Sequence, residues 1–275
     1  MTLTLASRLT LRDGHTIPLL GLGVYMSPVG EETQAAVRAG LASGYRHIDT
    51  ARVYGNEADV GAAVRDSGVP RGEVYVTTKL WNADQGYVAA LRACEASLQR
   101  LGFGYIDLFL IHWPVPQLRH ETWRAFVELQ RQGICRSIGV SNYTIAHLQE
   151  LMGRSDVAPA VNQVEFHPFL YQQALQQFCG GHRIAVEAYS PLTRGERLDD
   201  PVVVALAKQY GKSAAQILIR WGLQHGLIVL PKSTRAVRIQ ENAAVFDFAL
   251  SETDMATLDG LNENLRTCWD PTSAP

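Results

Sequence analysis

Four side chains in this sequence are suited to moving a proton: the carboxylate of Asp49, the phenol of Tyr54, the ammonium of Lys79 and the imidazole of His112. A free tyrosine, with a pKa of about 10, is a poor acid at neutral pH. An ammonium beside it favours the phenolate and lowers that value, so Tyr54 next to Lys79 is expected to become a usable donor. Asp49 would keep Lys79 charged and oriented, and His112 would orient a carbonyl oxygen or share its proton. A second set, Lys232-Ser233-Thr234 with Arg238, Glu241 and Asn242, puts two cations and two hydroxyls at a predicted helix start. Such a set grips a phosphate by point charge, planar fork and backbone N–H. Tyr25, Trp81, Trp113 and Tyr189 offer a stacking face or a pocket wall. Each feature also has a plainer origin: a structural ion pair, a packed core histidine, a solvated helix face, rim packing. The joint placement of the four proton-moving groups favours catalysis.

That placement comes from the elements around them. Runs rich in Val and Ile occur at 45–50, 75–79, 106–112, 137–142, 160–165, 184–189, 228–232 and 245–248. Between them lie stretches of helical spacing, such as Leu91, Cys94, Leu98 and Leu101 within 87–101, or Ala35, Ala39 and Ala42 within 31–43. Helix-start residues precede several: Ser141 and Asn142 before 145–151, Ser213 before 214–223, and Ser251 before 255–258. Eight nearly continuous apolar strands alternating with helices predict parallel strands buried on both faces and an α/β fold, a (β/α)8 barrel. An N-terminal β-hairpin, Leu9-Thr10-Leu11 and Thr16-Ile17 around Asp13-Gly14, is expected to close the bottom of the barrel. The rival is a doubly wound dinucleotide fold, which needs a glycine fingerprint. Gly21-Leu22-Gly23 fails it, because Met26 stands at the third glycine, and Gly211-Lys212-Ser213 fails as a phosphate loop because Leu206 replaces the first glycine. Working residues of a barrel project from the C-terminal strand ends. Read in that order, the ends carry Asp49, Lys79, His112, Ser141-Asn142, Gln163 with Glu165 and His167, Tyr189-Ser190, and Lys232-Ser233-Thr234.

The 275 residues are 47% hydrophobic and 19% charged, with a formal charge of −2, which excludes a disordered chain and a basic nucleic-acid or membrane footprint. A single barrel domain over 1–275 is expected, since barrels of about 250 residues fold as one unit. Cys94, Cys135, Cys179 and Cys268 lie far apart without a CxxC pair, which argues against a disulfide scaffold or thiolate zinc site. No bound metal is expected, although a site at His112 and His167 is geometrically conceivable. No secretory leader or membrane span is readable, so a cytoplasmic protein is expected, and a monomer by default.

The segments around these residues resemble the aldo-keto reductases. They are Gly44 to Ala51 with Tyr54-Gly55-Asn56-Glu57, Thr78-Lys79-Leu80-Trp81, and Tyr105-Ile106-Asp107-Leu108 through His112-Trp113-Pro114. The remainder are Ile138 to Tyr143, Val161 to Pro168, Ala188 to Leu192, and Leu230 to Thr234 through Arg238 to Glu241-Asn242. The likeness runs nearly the whole chain in the family's order. It implies a (β/α)8 barrel that binds NADPH without a separate nucleotide domain and reduces carbonyls by hydride transfer. Tyr54 is then the acid, Asp49 and Lys79 tune it, and His112 places the carbonyl. Ser141, Asn142 and Gln163 hold the nicotinamide carboxamide, Tyr189 stacks on its ring, and Ser190 and Leu192 contact the pyrophosphate. Lys232, Ser233, Thr234 and Arg238 bind the 2′-phosphate, Glu241 and Asn242 meet the adenine, and Tyr25, Trp81, His112 and Trp113 meet the substrate. The compact loops at 114–120 and 191–200 are similar to those of microbial 2,5-diketo-gluconate reductases and prostaglandin-F-synthase-like members. They suit small aldehydes, α-dicarbonyls and keto-sugars. Three alternatives stand beside this one. They are a cofactor-sensing regulatory protein of the same fold, a Schiff-base aldolase acting through Lys79, and a hydrolase using Asp49 and Glu165.

Overall fold

The structure is a computed structural model and describes residues 3–274. A hairpin comes first: β1 (Arg8–Thr10) pairs antiparallel with β2 (Thr16–Pro18), Leu9 opposite Ile17. Its turn is the expected one, with Gly14 at φ 89°. Ile17 is fully buried, and the loop is tied down by Gln130 donating to Asp13 and Arg12 to the His182 carbonyl. The hairpin covers the N-terminal mouth of a barrel, where Arg8, Thr16, Arg46, Tyr75, Asp107 and Arg136 enclose a cavity of about 400 Å³.

The barrel is one parallel sheet in chain order. Its strands are β3 (Leu22–Gly23), β4 (His47–Asp49), β5 (Tyr75–Leu80), β6 (Ile106–Ile111), β7 (Cys135–Ser141), β8 (Val161–Glu165), β9 (Ala185–Tyr189) and β10 (Ile228–Leu230). It closes where Gly21 N donates to Val229 O, Gly23 N to Pro231 O and Val229 N to Leu19 O. Around it lie α1 (Glu31–Ala42), α2 (Glu57–Asp66), α3 (Tyr87–Leu101), α4 (Arg119–Arg131), α5 (Ile145–Met152) and α6 (Gln173–Gly181). They are followed by α7 (Pro201–Tyr210), α8 (Ala214–Gln224), α9 (Ala236–Ala243) and α10 (Glu252–Asp259). No helix among the described residues is long and apolar enough to cross a membrane.

The count of eight strands was reached with one wrong member. Residues 245–248 form no strand. Val245 is buried, but the backbone polar groups around it are satisfied by α8 side chains: Arg220 donates to Val245 O and Gln216 to Ala244 O. The missing strand is β3, so Asp49 ends the second strand of the barrel and not the first. Its two residues, Leu22 and Gly23, and the preceding Gly21 carry no Val/Ile run. Glycine is needed there, because a Cβ on Gly21 would lie 2.6 Å from Leu230 Cδ2 and 2.7 Å from His47 Nδ1. Side-chain size is thus sacrificed to bring the first and last strands together.

The strong helix signals hold. α3 has the predicted bounds, and Ser213 caps α8 in a reciprocal box with Gln216, which satisfies two otherwise orphaned donors. Ser251 caps α10, which starts earlier than expected, at Glu252. Ahead of α5 the cap is Thr144, not Ser141 or Asn142, because those two belong to the strand end and its turn.

Candidate active site

Strand alternation sorts the residues of β4 and β5. Asp49, Thr77 and Lys79 face inward, while Thr78 points to the helix layer and donates to Glu57 at 2.6 Å. Lys79 is fully buried, and its Nζ lies 2.7 and 2.9 Å from the Asp49 oxygens, 2.9 Å from Thr50 O and 3.3 Å from the Tyr54 hydroxyl. Tyr54 ends a single 3-10 turn, Arg52–Tyr54, that Gly55 stops in a left-handed conformation at φ 74°. Thr50 donating to Asn56, and Asn56 to the Val24 carbonyl, pin that loop from beneath. His112 follows β6 directly. Its ring stands edge-on to Tyr54 at 5.9 Å and to Trp81 at 5.3 Å, with Trp113 nearly parallel at 6.2 Å. Tyr25 covers the other side of Tyr54 at 5.0 Å. All four proton-moving groups and three of the four predicted aromatics, Tyr25, Trp81 and Trp113, therefore meet at one mouth.

The electrostatics correct one expectation. Tyr54 is not lowered by Lys79: burial, reinforced by the Asp49 carboxylate, pushes the phenol well above its ordinary value. Asp49, paired with Lys79, offsets part of the ammonium's field at Tyr54, and burial outweighs the remainder in the resting phenol. His112 is held well below the ordinary imidazole range, by burial first and by Lys79 second. It is a neutral ring that can donate or accept a hydrogen bond, and a shared imidazolium proton is not available. With Lys79 spending all three ammonium hydrogens on acceptors, no lone pair is free for a Schiff base.

Beneath this layer, with Gln163, lie two buried groups that the sequence did not single out, Glu187 and His47. Gln163 Nε2 bridges Asp49 Oδ2 at 2.8 Å and Glu187 Oε2 at 2.7 Å. Glu187 is wholly buried, and burial followed by the neighbouring Asp49 charge pushes it up to about 8. His47, whose Nε2 is 3.0 Å from Thr77 Oγ1 and 3.5 Å from Glu187 Oε1, is driven down to about 3, chiefly by burial. The one available signal was an acidic residue inside the otherwise apolar run of β9.

The expected carboxamide binders are partly engaged with one another. Ser141 donates to Gln163 O, and Asn142, at φ 64°, donates to His112 O and receives the Tyr189 hydroxyl at 2.8 Å. Both amide hydrogens of Gln163 are taken by carboxylates. Ser190 (φ 49°) and Leu192 are half-buried beside Cys268, whose Sγ is 3.7 Å from Ser190 Oγ. At the α9 end, Ser233 is buried and accepts from Arg235 N, Thr234 and Glu241 are half-buried, and Asn242 is buried. Lys232 and Arg238 are exposed, as is an unpredicted third cation, Arg235, and none of the three has an ion-pair partner among the described residues. Three unpaired cations around a buried hydroxyl suit a bound phosphate.

Glu165 is not free for hydrolysis. Although burial opposes its ionisation, hydrogen bonds from His167 and Thr267 outweigh that and hold it below the ordinary carboxylate range. His167 is taken up by Glu165 at 3.2 Å, and no group of three or more His, Cys, Asp or Glu among the described residues is arranged to hold a metal ion. All four cysteines are free, but folding brings Cys94 and Cys135 to 3.6 Å despite their separation in sequence. Trp269, also unforeseen, meets Trp113 edge-on at 4.7 Å.

Residues 20–263 match the model of the Aldo/keto reductase family. The chain is 49% identical over 275 residues to an uncharacterized oxidoreductase, YtbE, of Bacillus subtilis (strain 168), spanning 98% of each protein. It is 46% identical over 271 residues to a glyoxal reductase of the same organism, again over 98% of each. Among solved structures it is similar to an aldo-keto reductase of Bombyx mori in complex with NADP. The TM-score is 0.90 with 39% identity, over 96% of this chain and 95% of that one.

Proposed function

This chain belongs to the aldo/keto reductase family, and from that premise we propose that it is an NADPH-dependent reductase of small carbonyl compounds in which Tyr54 is the proton donor. The observation that carries the reading is the contact of the Tyr54 hydroxyl with an ammonium already bound to a carboxylate, 3.3 Å away, beside a neutral histidine. Support for the cofactor comes from the NADP-bound relative and from the unpaired Lys232, Arg235 and Arg238 at the end of the barrel. Lys232, Ser233, Thr234 and Arg238 would hold its 2′-phosphate, Glu241 and Asn242 its adenine, Ser190 and Leu192 its pyrophosphate. Ser141, Asn142, Gln163 and Tyr189 would meet the nicotinamide. When bound, NADPH supplies the hydride. One barrel then serves both cofactor and substrate.

The protein's own part is proton delivery. A raised pKa keeps Tyr54 protonated across the neutral range, which is the form an acid needs. The oxygen of a carbonyl undergoing reduction develops alkoxide character and is a far stronger base than phenolate, so the transfer runs downhill even from this phenol. The phenolate left behind sits 3.3 Å from the Lys79 ammonium, where attraction is greatest after the proton has gone. Lys79 therefore stabilises the product of proton transfer more than the resting acid, which is the differential interaction that catalysis requires. His112, neutral, can donate one hydrogen bond to the carbonyl oxygen and so fix it near Tyr54.

The likeness to a glyoxal reductase of Bacillus subtilis supports α-dicarbonyls as the substrate class to test first. NADPH consumption with glyoxal, methylglyoxal, simple aldehydes and keto-sugars tests the reading directly. Tyr54→Phe should lower kcat by about 10²–10⁴-fold, the usual worth of a positioned general acid. Undiminished turnover in that variant would refute the assignment of the donor.

A further inference from the structure

The carboxylate of Glu165 takes no part in this proton chemistry, yet it is 1% exposed and more fully engaged than most surface ion pairs. It accepts from Thr267 N at 2.8 Å, Thr267 Oγ1 at 2.6 Å, Cys268 N at 3.2 Å and His167 Nε2 at 3.2 Å. Three of these four donors lie on the segment after α10, which contains no strand. The next residue on that segment is Trp269, 57% exposed and edge-on to Trp113, whose ring parallels His112.

Burying a carboxylate is costly unless donors fill its lone pairs, and the Thr267 and Cys268 N–H groups need an acceptor in turn. Glu165 and the segment thus satisfy each other. The other ties reach neutral partners or lie in solvent: Leu265 and Glu263 N–H donate to Phe169 O, Tyr171 N to Asn262 Oδ1 and Arg194 to Thr267 O, Ser190 Oγ lies 3.7 Å from Cys268 Sγ, and an Arg197–Glu263 pair lies in solvent. An exposed pair of that kind contributes little.

We propose that Glu165, braced by His167, is a positioning residue that clamps the C-terminal segment across the barrel mouth and so seats Trp269 against Trp113 as an outer wall of the substrate pocket. The proposal rests on the carbonyl-reductase reading for the meaning of that pocket, but the clamp itself does not. Because Glu165 acts through the wall and not on the reacting atoms, it governs substrate binding and leaves the chemical step alone.

Glu165→Gln, with Thr267→Val as a milder variant that deletes one donor, separates these roles. Amide hydrogen exchange across 262–272 is measured alongside kinetics with phenylglyoxal and NADPH. Loss of charge-assisted bonds predicts, for Glu165→Gln, exchange at Thr267 and Cys268 faster by about tenfold and KM higher by about tenfold, with kcat within about twofold. Thr267→Val should shift both in the same direction by about threefold. Wild-type exchange and KM in these variants would overturn the clamp, as would a fall in kcat with KM unchanged. If Glu165→Gln does not fold, Thr267→Val decides. If the wild-type protein turns over no carbonyl, the functional reading fails while the exchange rates still test the clamp.

Discussion

Replacing Lys79 by methionine removes a charge that two different free energies depend on. The first is stability. Asp49 is 4% exposed and keeps only Gln163 as a partner once Nζ is gone. Breaking a buried pair from one side costs about 3–5 kcal/mol, which at roughly 2–4 °C per kcal/mol for a chain of this size lowers Tm by about 6–20 °C. The second is the barrier. A unit charge 3.3 Å from the phenolate oxygen, at an effective dielectric constant near 20, is worth about 5 kcal/mol. Asp49 cancels part of that, so a loss of about 2–4 kcal/mol, or roughly 30- to 1,000-fold in kcat, is expected. The decisive assay is a double-mutant cycle. If Lys79 works through Tyr54, Lys79→Met should cost little more in a Tyr54→Phe background, because the phenolate it stabilises no longer forms. Single-turnover rates of the four proteins, at a temperature where all are folded, supply the cycle. Additive losses would refute the coupling, and a Lys79→Met enzyme with near-normal kcat would refute the electrostatic account altogether.

Two further outcomes follow from the same geometry. Glu187 is raised to about 8, so the folded state binds its proton more tightly than the unfolded chain, and that stability is present below the ordinary Glu range and lost as pH rises through 8. Glu187→Gln, which mimics the protonated form, should therefore flatten the decline of Tm between the ordinary Glu range and about pH 8. His47, lowered to about 3, acts in the opposite sense: its contribution is present above the ordinary His range and lost as pH falls towards 3. Thermal melts across both windows check the signs. At the far end of the site, Lys232→Ala and Arg238→Ala should each weaken NADPH by about tenfold, the scale of one lost charge-assisted contact, and leave NADH nearly unchanged. Titration of intrinsic fluorescence with the two cofactors measures it, and equal loss for both would contradict a phosphate grip.

Much of this site was legible before the fold. Asp49, Lys79 and His112 lie at strand ends and Tyr54 in the loop that follows Asp49, and a parallel barrel delivers every such end and its loop to one mouth. The hairpin and α3 were legible for the same reason: a turn pair and a four-residue step are local signals. What escaped was non-local or chemically bland. β3 escaped because glycines carry no hydrophobic pattern, and residues 245–248 misled because an apolar run outside a closed barrel has the composition of a strand. Glu187 escaped, and Glu165 was read as a candidate for hydrolysis, because what matters about both is which residues lie opposite.

The order of residue types along the chain thus determined the alternating fold, the mouth and the inventory of groups found there, since patterning and strand direction are local properties that sum. Only the tertiary structure decided their charge states and partners. Tyr54 is raised and not lowered because burial and the Asp49 charge outweigh the Lys79 ammonium beside it. Gln163 is drawn inward by two carboxylates from other strands. The C-terminal segment is fastened by a glutamate about a hundred residues upstream. Desolvation and Coulomb energies depend on distances in space, and those are set by the closure of the barrel.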